Sequence, residues 1–94
     1  MSPVRDVIMH YTYILQSMKT NDWYTGYSKD LRKRFVEHQS GKNTWTKGRG
    51  PFKLIYYEAC LSEEDARSRE LYLKSGMGKR YIKNRLKRSL SLTG

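Results

Sequence analysis

Three side chains that can handle a phosphate or move a proton fall within one short stretch: Tyr24, Arg34 and His38. Arg34 and His38 are four positions apart, and on a helix that spacing puts both on one face. A phenol has a pKa of about 10, so a tyrosine serves as a base only where cations or a metal stabilise the phenolate. This chain has cations in excess. Each candidate also has a plainer reading. Arg34 fits a solvated surface cation, and His38 fits a half-buried side chain closing the Leu31/Phe35 face. Tyr11, Tyr13, Tyr24 and Tyr27 fit core or sheet-surface aromatics.

The informative oddity lies far downstream, at Glu70. Ala66, Glu70, Leu73 and Met77 recur at steps of four, three and four, so Glu70 falls on the stripe of a helix that should face inward. A buried, unpaired carboxylate is costly and must be paired, neutral or bound to a metal. Two readings stay open: a salt bridge with one of the many cations, or a carboxylate holding a divalent ion beside the Arg34/His38 face.

The elements that must position these groups can be read in order. Residues 1–8 read as a loose leader. Met9, Tyr11, Tyr13 and Leu15 then alternate with His10, Thr12, Ile14 and Gln16 at strand period. Lys19-Thr20-Asn21-Asp22 is a polar turn, and residues 23–27 form the second arm of a hairpin. Gly26 weakens that strand unless something must approach its backbone, here expected to be a sugar-phosphate chain. Ser28 is the expected N-cap and Asp30 a first-turn acid for a helix carrying Leu31, Phe35 and His38 on one side. Gly41 ends it.

Residues 40–51 form a basic, glycine-rich loop carrying an exposed Trp45. Residues 52–59 are the clearest strand, expected to be central or well covered. Ser62-Glu63-Glu64-Asp65 starts a helix reaching residue 74 or 75. Gly76 and Gly78 break it, and a last helix runs over residues 79–90 with Ile82, Leu86 and Leu90 on one stripe. The order β-β-α-β-α-α predicts an α+β domain over residues 9–90: a small antiparallel three-stranded sheet flanked by helices, followed by a tail at 91–94.

Composition bounds the function classes. Nineteen Lys plus Arg against nine Asp plus Glu give a formal charge of +10 over 94 residues. A small basic domain is built to meet a polyanion, nucleic acid above all, and eight tyrosines with two tryptophans offer stacking surfaces. No apolar run is long enough for a transmembrane helix, and the start has no apolar signal core, so no membrane partner and a cytoplasmic location are expected. Cys60 is alone, which agrees with a reducing compartment and leaves no cysteine-based zinc site.

Taken together, Tyr11-Thr12-Tyr13-Ile14-Leu15, Trp23-Tyr24-Thr25-Gly26-Tyr27, Leu31-Arg32-Lys33-Arg34 and His38-Gln39-Ser40-Gly41-Lys42 resemble the GIY-YIG nuclease domain. Ala66-Arg67-Ser68-Arg69-Glu70 with Lys74 resembles that family's metal-binding helix. Any one element is weak, but the ordered set is specific and covers nearly the whole chain. The nearest match is the small stand-alone bacterial branch, whose chains are little more than this domain.

The resemblance implies the GIY-YIG fold and a role for each matching position. Tyr13 and Tyr24 flank the attacking water, one serving as or assisting the general base. Arg34 holds the scissile phosphate, His38 stands near the nucleophile, and Glu70 is the single metal-ligating carboxylate. Asn84 matches a phosphate-contacting asparagine. Tyr11-Thr12-Tyr13 departs from Gly-Ile-Tyr, and Thr25 replaces the central Ile, but the functional tyrosines and Gly26 are kept.

The expectation is therefore a metal-dependent endonuclease using one Mg²⁺ or Mn²⁺. It cuts nucleic acid, DNA ahead of RNA, in repair, recombination or structure-specific cleavage. Lys42, Trp45, Lys47, Arg49, Lys79, Arg80 and Asn84 would track flanking nucleic acid in a salt-dependent way. The alternatives are a non-catalytic basic nucleic-acid-binding module and a structural adaptor in which Glu70 pairs with Arg34.

Overall fold

The computed structural model describes residues 7–91. Strands β1 (His10–Ser17), β2 (Trp23–Ser28) and β3 (Phe52–Cys60) are joined with helices α1 (Leu31–Gln39), α2 (Glu63–Lys74), α3 (Gly76–Arg85) and α4 (Lys87–Ser91). The expected α+β order is present, with the last helix divided at Leu86. Parts of the expected leader (1–6) and tail (92–94) lie outside the described residues.

All strand pairings are antiparallel, in the order β2-β1-β3. The central strand is thus β1, and its residues 12–17 are buried on both faces. This corrects the expectation that β3 is central or well covered. Its apolar run reads like a covered strand, but only one of its edges is paired, and Lys53, Tyr57 and Ala59 are exposed. A β-bulge between Ile14 and Leu15 shifts the β1–β3 register.

Successive strand side chains alternate between faces, and the two faces of β1 carry different helices. On one face Tyr13, Leu15 and Phe52 pack with Leu31 and Phe35 of α1 and with Tyr24 and Trp45. On the other, Ile14 packs with Leu73 of α2 and Ile82 of α3. Thr12 Oγ1 donates to the Ala66 carbonyl at 2.6 Å, tying α2 to β1. Trp45 is not exposed as expected: its ring lies 5.2 Å from Tyr24 and 5.9 Å from Phe52.

Local caps set the helix ends. Asp30, not Ser28, caps α1 by accepting from Lys33 N–H, while Ser28 Oγ accepts from Asp30 N–H one step earlier. Gly41 adopts φ +74° and closes a Schellman motif, with Gly41 N–H on the His38 carbonyl and Lys42 N–H on that of Glu37. Ser62 caps α2 as expected.

The glycines at 76 and 78 do not break the chain, because they form the first turn of α3. The break is Ser75, which ends α2 and caps α3 by accepting from Gly78 N–H. A Cβ on Gly78 would lie 2.0 Å from the Tyr72 carbonyl oxygen, so only glycine permits this tight corner. The corner turns α3 away, and Met77, placed on the inward stripe by sequence, is 67% exposed. A bidentate pair, Arg69 to Glu58 at 2.7 and 2.9 Å, fastens α2 to β3 one residue before Glu70.

Candidate active site

A groove of about 470 Å³ runs along the β2 edge of the sheet, where α1 from one face meets α2 from the other. Tyr24 and Gly26 of β2, Arg34 and Glu37 of α1, and Arg67 and Glu70 of α2 line it. Behind Gly26 lies Tyr13, fully buried, its hydroxyl 2.7 Å from His38 Nε2. The Tyr24 ring stands 4.8 Å from that of His38. The structure thus gathers Tyr13, Tyr24, Arg34, His38 and Glu70 around one groove.

Gly26 also has a task within the fold, beside the open groove it lines. A Cβ there would meet Tyr13 Oη at 2.6 Å and Cζ at 2.7 Å. What comes close to the strand is therefore the Tyr13 ring itself, laid across the paired position Gly26 on its way to His38.

The electrostatics follow from burial and from Arg34. Burial pushes the Tyr13 phenol up to about 12, although the Arg34 guanidinium beside it pulls the other way. His38 is held below its ordinary value, first by burial and then by the Arg34 charge, so it is neutral at pH 7. Arg34 keeps its proton more firmly than usual through contact with the Tyr13 phenol, with charge interactions to Tyr24 adding to this. One guanidinium nitrogen contacts Glu37 at 3.3 Å. The buried Nε has no hydrogen-bond partner among the described residues, while the side chain as a whole is 43% exposed to the groove.

Glu70 is 18% exposed, and its Oε2 lies 3.0 Å from Lys74 Nζ. The adaptor pairing of Glu70 with Arg34 is not formed, since Arg34 pairs with Glu37 and Glu70 with Lys74. Lys74 sits one turn along the same helix, an easier reach than the opposite wall. No group of three metal-binding side chains occurs among the described residues. One carboxylate in an open groove suits a hard cation that completes its shell with water and phosphate oxygens, as Mg²⁺ does, and does not suit a protein-caged zinc.

The remaining candidates divide. Lys42 lines an adjoining pocket of about 250 Å³ with Arg34 and His38. Lys47 is exposed on the loop, whereas Arg49 is engaged in holding it: its guanidinium donates to the Trp45 carbonyl and lies 4.8 Å over the Trp45 ring. Lys79 is exposed on α3. Arg80 and Asn84 line a separate depression with Met77 and Tyr81 and do not reach the groove. Sequence reasoning missed Tyr27, Lys33, Glu37 and Arg67 as lining residues. Arg67 could have been found, because it precedes Glu70 by three and so shares its face.

Residues 9–87 match the model of the GIY-YIG catalytic domain. The chain belongs to the GIY-YIG family. Among curated proteins, a UPF0213 protein of Clostridium perfringens is 43% identical over 67 residues, covering 70% of this chain and 71% of its own. Another, from Halalkalibacterium halodurans, is 46% identical over 66 residues, covering 69% of each. The solution NMR structure of a UPF0213 protein from Bacillus halodurans shares 42% identity, covers 79% of this chain and 81% of its own, and superposes with a TM-score of 0.49. The GIY-YIG family is one of nucleases. In this member of the family Tyr24, Arg34 and Glu70 line the β2-edge groove.

Proposed function

We propose that this GIY-YIG protein is a metal-dependent endonuclease that hydrolyses phosphodiester bonds in DNA. The observation that carries the reading is the groove itself: Tyr24, Arg34 and Glu70 face one space, backed by the Tyr13–His38 hydrogen bond. Hydrolysis needs a water that loses its proton, positive charge at the phosphoryl oxygens and help for the departing oxygen. Arg34, whose side chain lines the groove and is 43% exposed, takes the scissile phosphate and stabilises its developing charge.

Tyr24 lines the groove and Tyr13 does not, so Tyr24 is the phenol that meets the water. Tyr13 and His38 position the aromatic cluster from behind. Glu70 is the group that would hold Mg²⁺ or Mn²⁺ once Lys74 releases it; a bound cation supplies further charge at the phosphoryl oxygens.

The test is cleavage of labelled duplex, single-stranded, flap and branched DNA and RNA with Mg²⁺, Mn²⁺ or chelator, comparing wild type with Glu70→Gln and Arg34→Ala. Metal-dependent cutting of DNA that both variants abolish is the expected result. Binding with no cutting, or cutting indifferent to both, would replace the nuclease with a basic binding module. The separate Arg80/Asn84 depression and the exposed Lys79 are the features that favour that second reading.

A further inference from the structure

A second groove, of about 450 Å³, begins where the first ends. Lys29 and Asp30, at the start of α1, line both, so the two are continuous around that helix end. The walls then change character. In place of Tyr24, Arg34 and Glu70 come Tyr11, Leu31, Phe35, Val36, Leu54 and Tyr57, with Lys29 and Arg32 at the rim. Tyr57 is 54% exposed and Val36 60%, so the groove presents an aromatic and an aliphatic side chain to solvent. Tyr11 and Tyr57 stand 6.0 Å apart, ring to ring, on the strands that carry the Tyr13 face.

We infer that this second groove is a stacking subsite for an unpaired segment of the DNA strand that passes through the first. The inference rests on the proposed nuclease reading and adds the structural class of its substrate. Three observations support this occupant. An exposed aromatic face beside cations matches what single strands use, since every base has a π-face and every phosphate a charge. Bases inside a duplex have both faces covered by their neighbours, so away from its ends a duplex has no face to offer Tyr57. A second copy of the chain is disfavoured, because each copy carries a formal +10 and would bring Lys29 and Arg32 against its partner's cations.

The experiment is a binding titration in chelator, so that no cutting intervenes. It uses duplexes with 3′ or 5′ single-stranded extensions, matched blunt duplexes and an RNA-extension series, with 2-aminopurine walked along the extension. The expected result is quenching at one short window of the extension. Tyr57→Ser should weaken binding of extended DNA about tenfold while leaving blunt duplex unchanged, and Tyr57→Trp should restore it.

Equal effects on extended and blunt DNA, or none, would overturn the subsite. So would preference for the RNA extension, or a dimer in sedimentation that Tyr57→Ser dissociates. A circular dichroism melt of each variant shows that the fold is kept. The two readings fail separately: Tyr57-dependent binding without metal-dependent cutting sinks the nuclease alone, and metal-dependent cutting indifferent to Tyr57 and to the extension sinks the subsite alone.

Discussion

Gly26→Ala should damage this protein although alanine is ordinarily the better residue. In a strand interior, replacing glycine by alanine lowers the entropy of the unfolded chain and is worth roughly 0.5–1 kcal/mol in favour of folding. At Gly26 the new methyl group meets Tyr13 Oη at 2.6 Å and Cζ at 2.7 Å, against 3.4 Å or more for ordinary contact. The Tyr13 ring must therefore retreat by about 0.7–0.8 Å from a fully buried position. A displacement of that size disrupts the 2.7 Å bond to His38.

Overpacking of a filled core costs about 1–3 kcal/mol, so the sign of the stability change reverses. For a domain of this length each kcal/mol moves the melting midpoint by roughly 4–8 °C. Misplacing an active-site group by about 1 Å costs on the order of 10²-fold in rate. Thermal melts and cleavage rates for Gly26→Ala, Tyr13→Ala and the double variant read both effects. If the ring is the obstacle, Gly26→Ala should cost nothing further once Tyr13 is alanine. Strictly additive losses, or a Gly26→Ala protein as stable and active as wild type, would refute the account.

Acid should weaken the fold through His38. Its folded pKa lies below the unfolded value near 6.5, so the unfolded chain binds the proton first. That stabilisation is fully present above about pH 6.5 and is lost as pH falls through the folded value. Glu58 and Glu63 are lowered below 4.5 and titrate further down, so urea midpoints between pH 6.5 and 5 isolate the histidine. His38→Gln should flatten that slope, and an identical slope would count against the assignment. Tyr13, pushed up to about 12, stays protonated through pH 10, so Tyr13→Phe should lower the cleavage rate without altering the shape of its pH profile between pH 7 and 10. A flattened profile in that variant would make Tyr13, rather than Tyr24, the proton acceptor. Arg69→Ala should cost about 1–2 kcal/mol, because the Arg69–Glu58 pair is bidentate but partly solvated. A melting midpoint equal to wild type would show that this fastening of α2 is redundant.

Much of this was legible in one sequence, and the exceptions share a cause. The alternation at Tyr11, Tyr13 and Leu15 announced β1, and the Ser62 cap with its acids announced α2, because both are local signals. Arg34 and His38 on one helical face needed only the helical period. Strand order is not local, and so β3, apolar enough for the centre, was misplaced from what is an edge. Gly76 and Gly78 look like breakers because the sequence shows a residue's freedom but not its neighbours, and Gly78 is needed for closeness to Tyr72. At Gly26 the close neighbour within the fold, the Tyr13 ring, is likewise invisible in the sequence. The oddity at Glu70 was correctly seen, but its partner was not, since choosing Lys74 over Arg34 requires knowing how far apart the two walls stand.

Ser75 belongs to two helices at once, closing α2 with its N–H and opening α3 with its side chain. Two helices separated by a sharp corner would ordinarily fray and exchange their amide hydrogens independently. Here the hydroxyl that shelters the first amides of α3 sits on the residue that terminates α2, and the corner leaves no room for it to open without moving Tyr72 and Leu73. The segment from Glu63 to Arg85 should therefore protect its amides as one cooperative block, opening together or not at all. The loop over residues 40–51 is tied instead to the sheet, through Ser17 Oγ on the Arg49 carbonyl and Trp45 against Tyr24 and Phe52, and should exchange with the sheet rather than with that block.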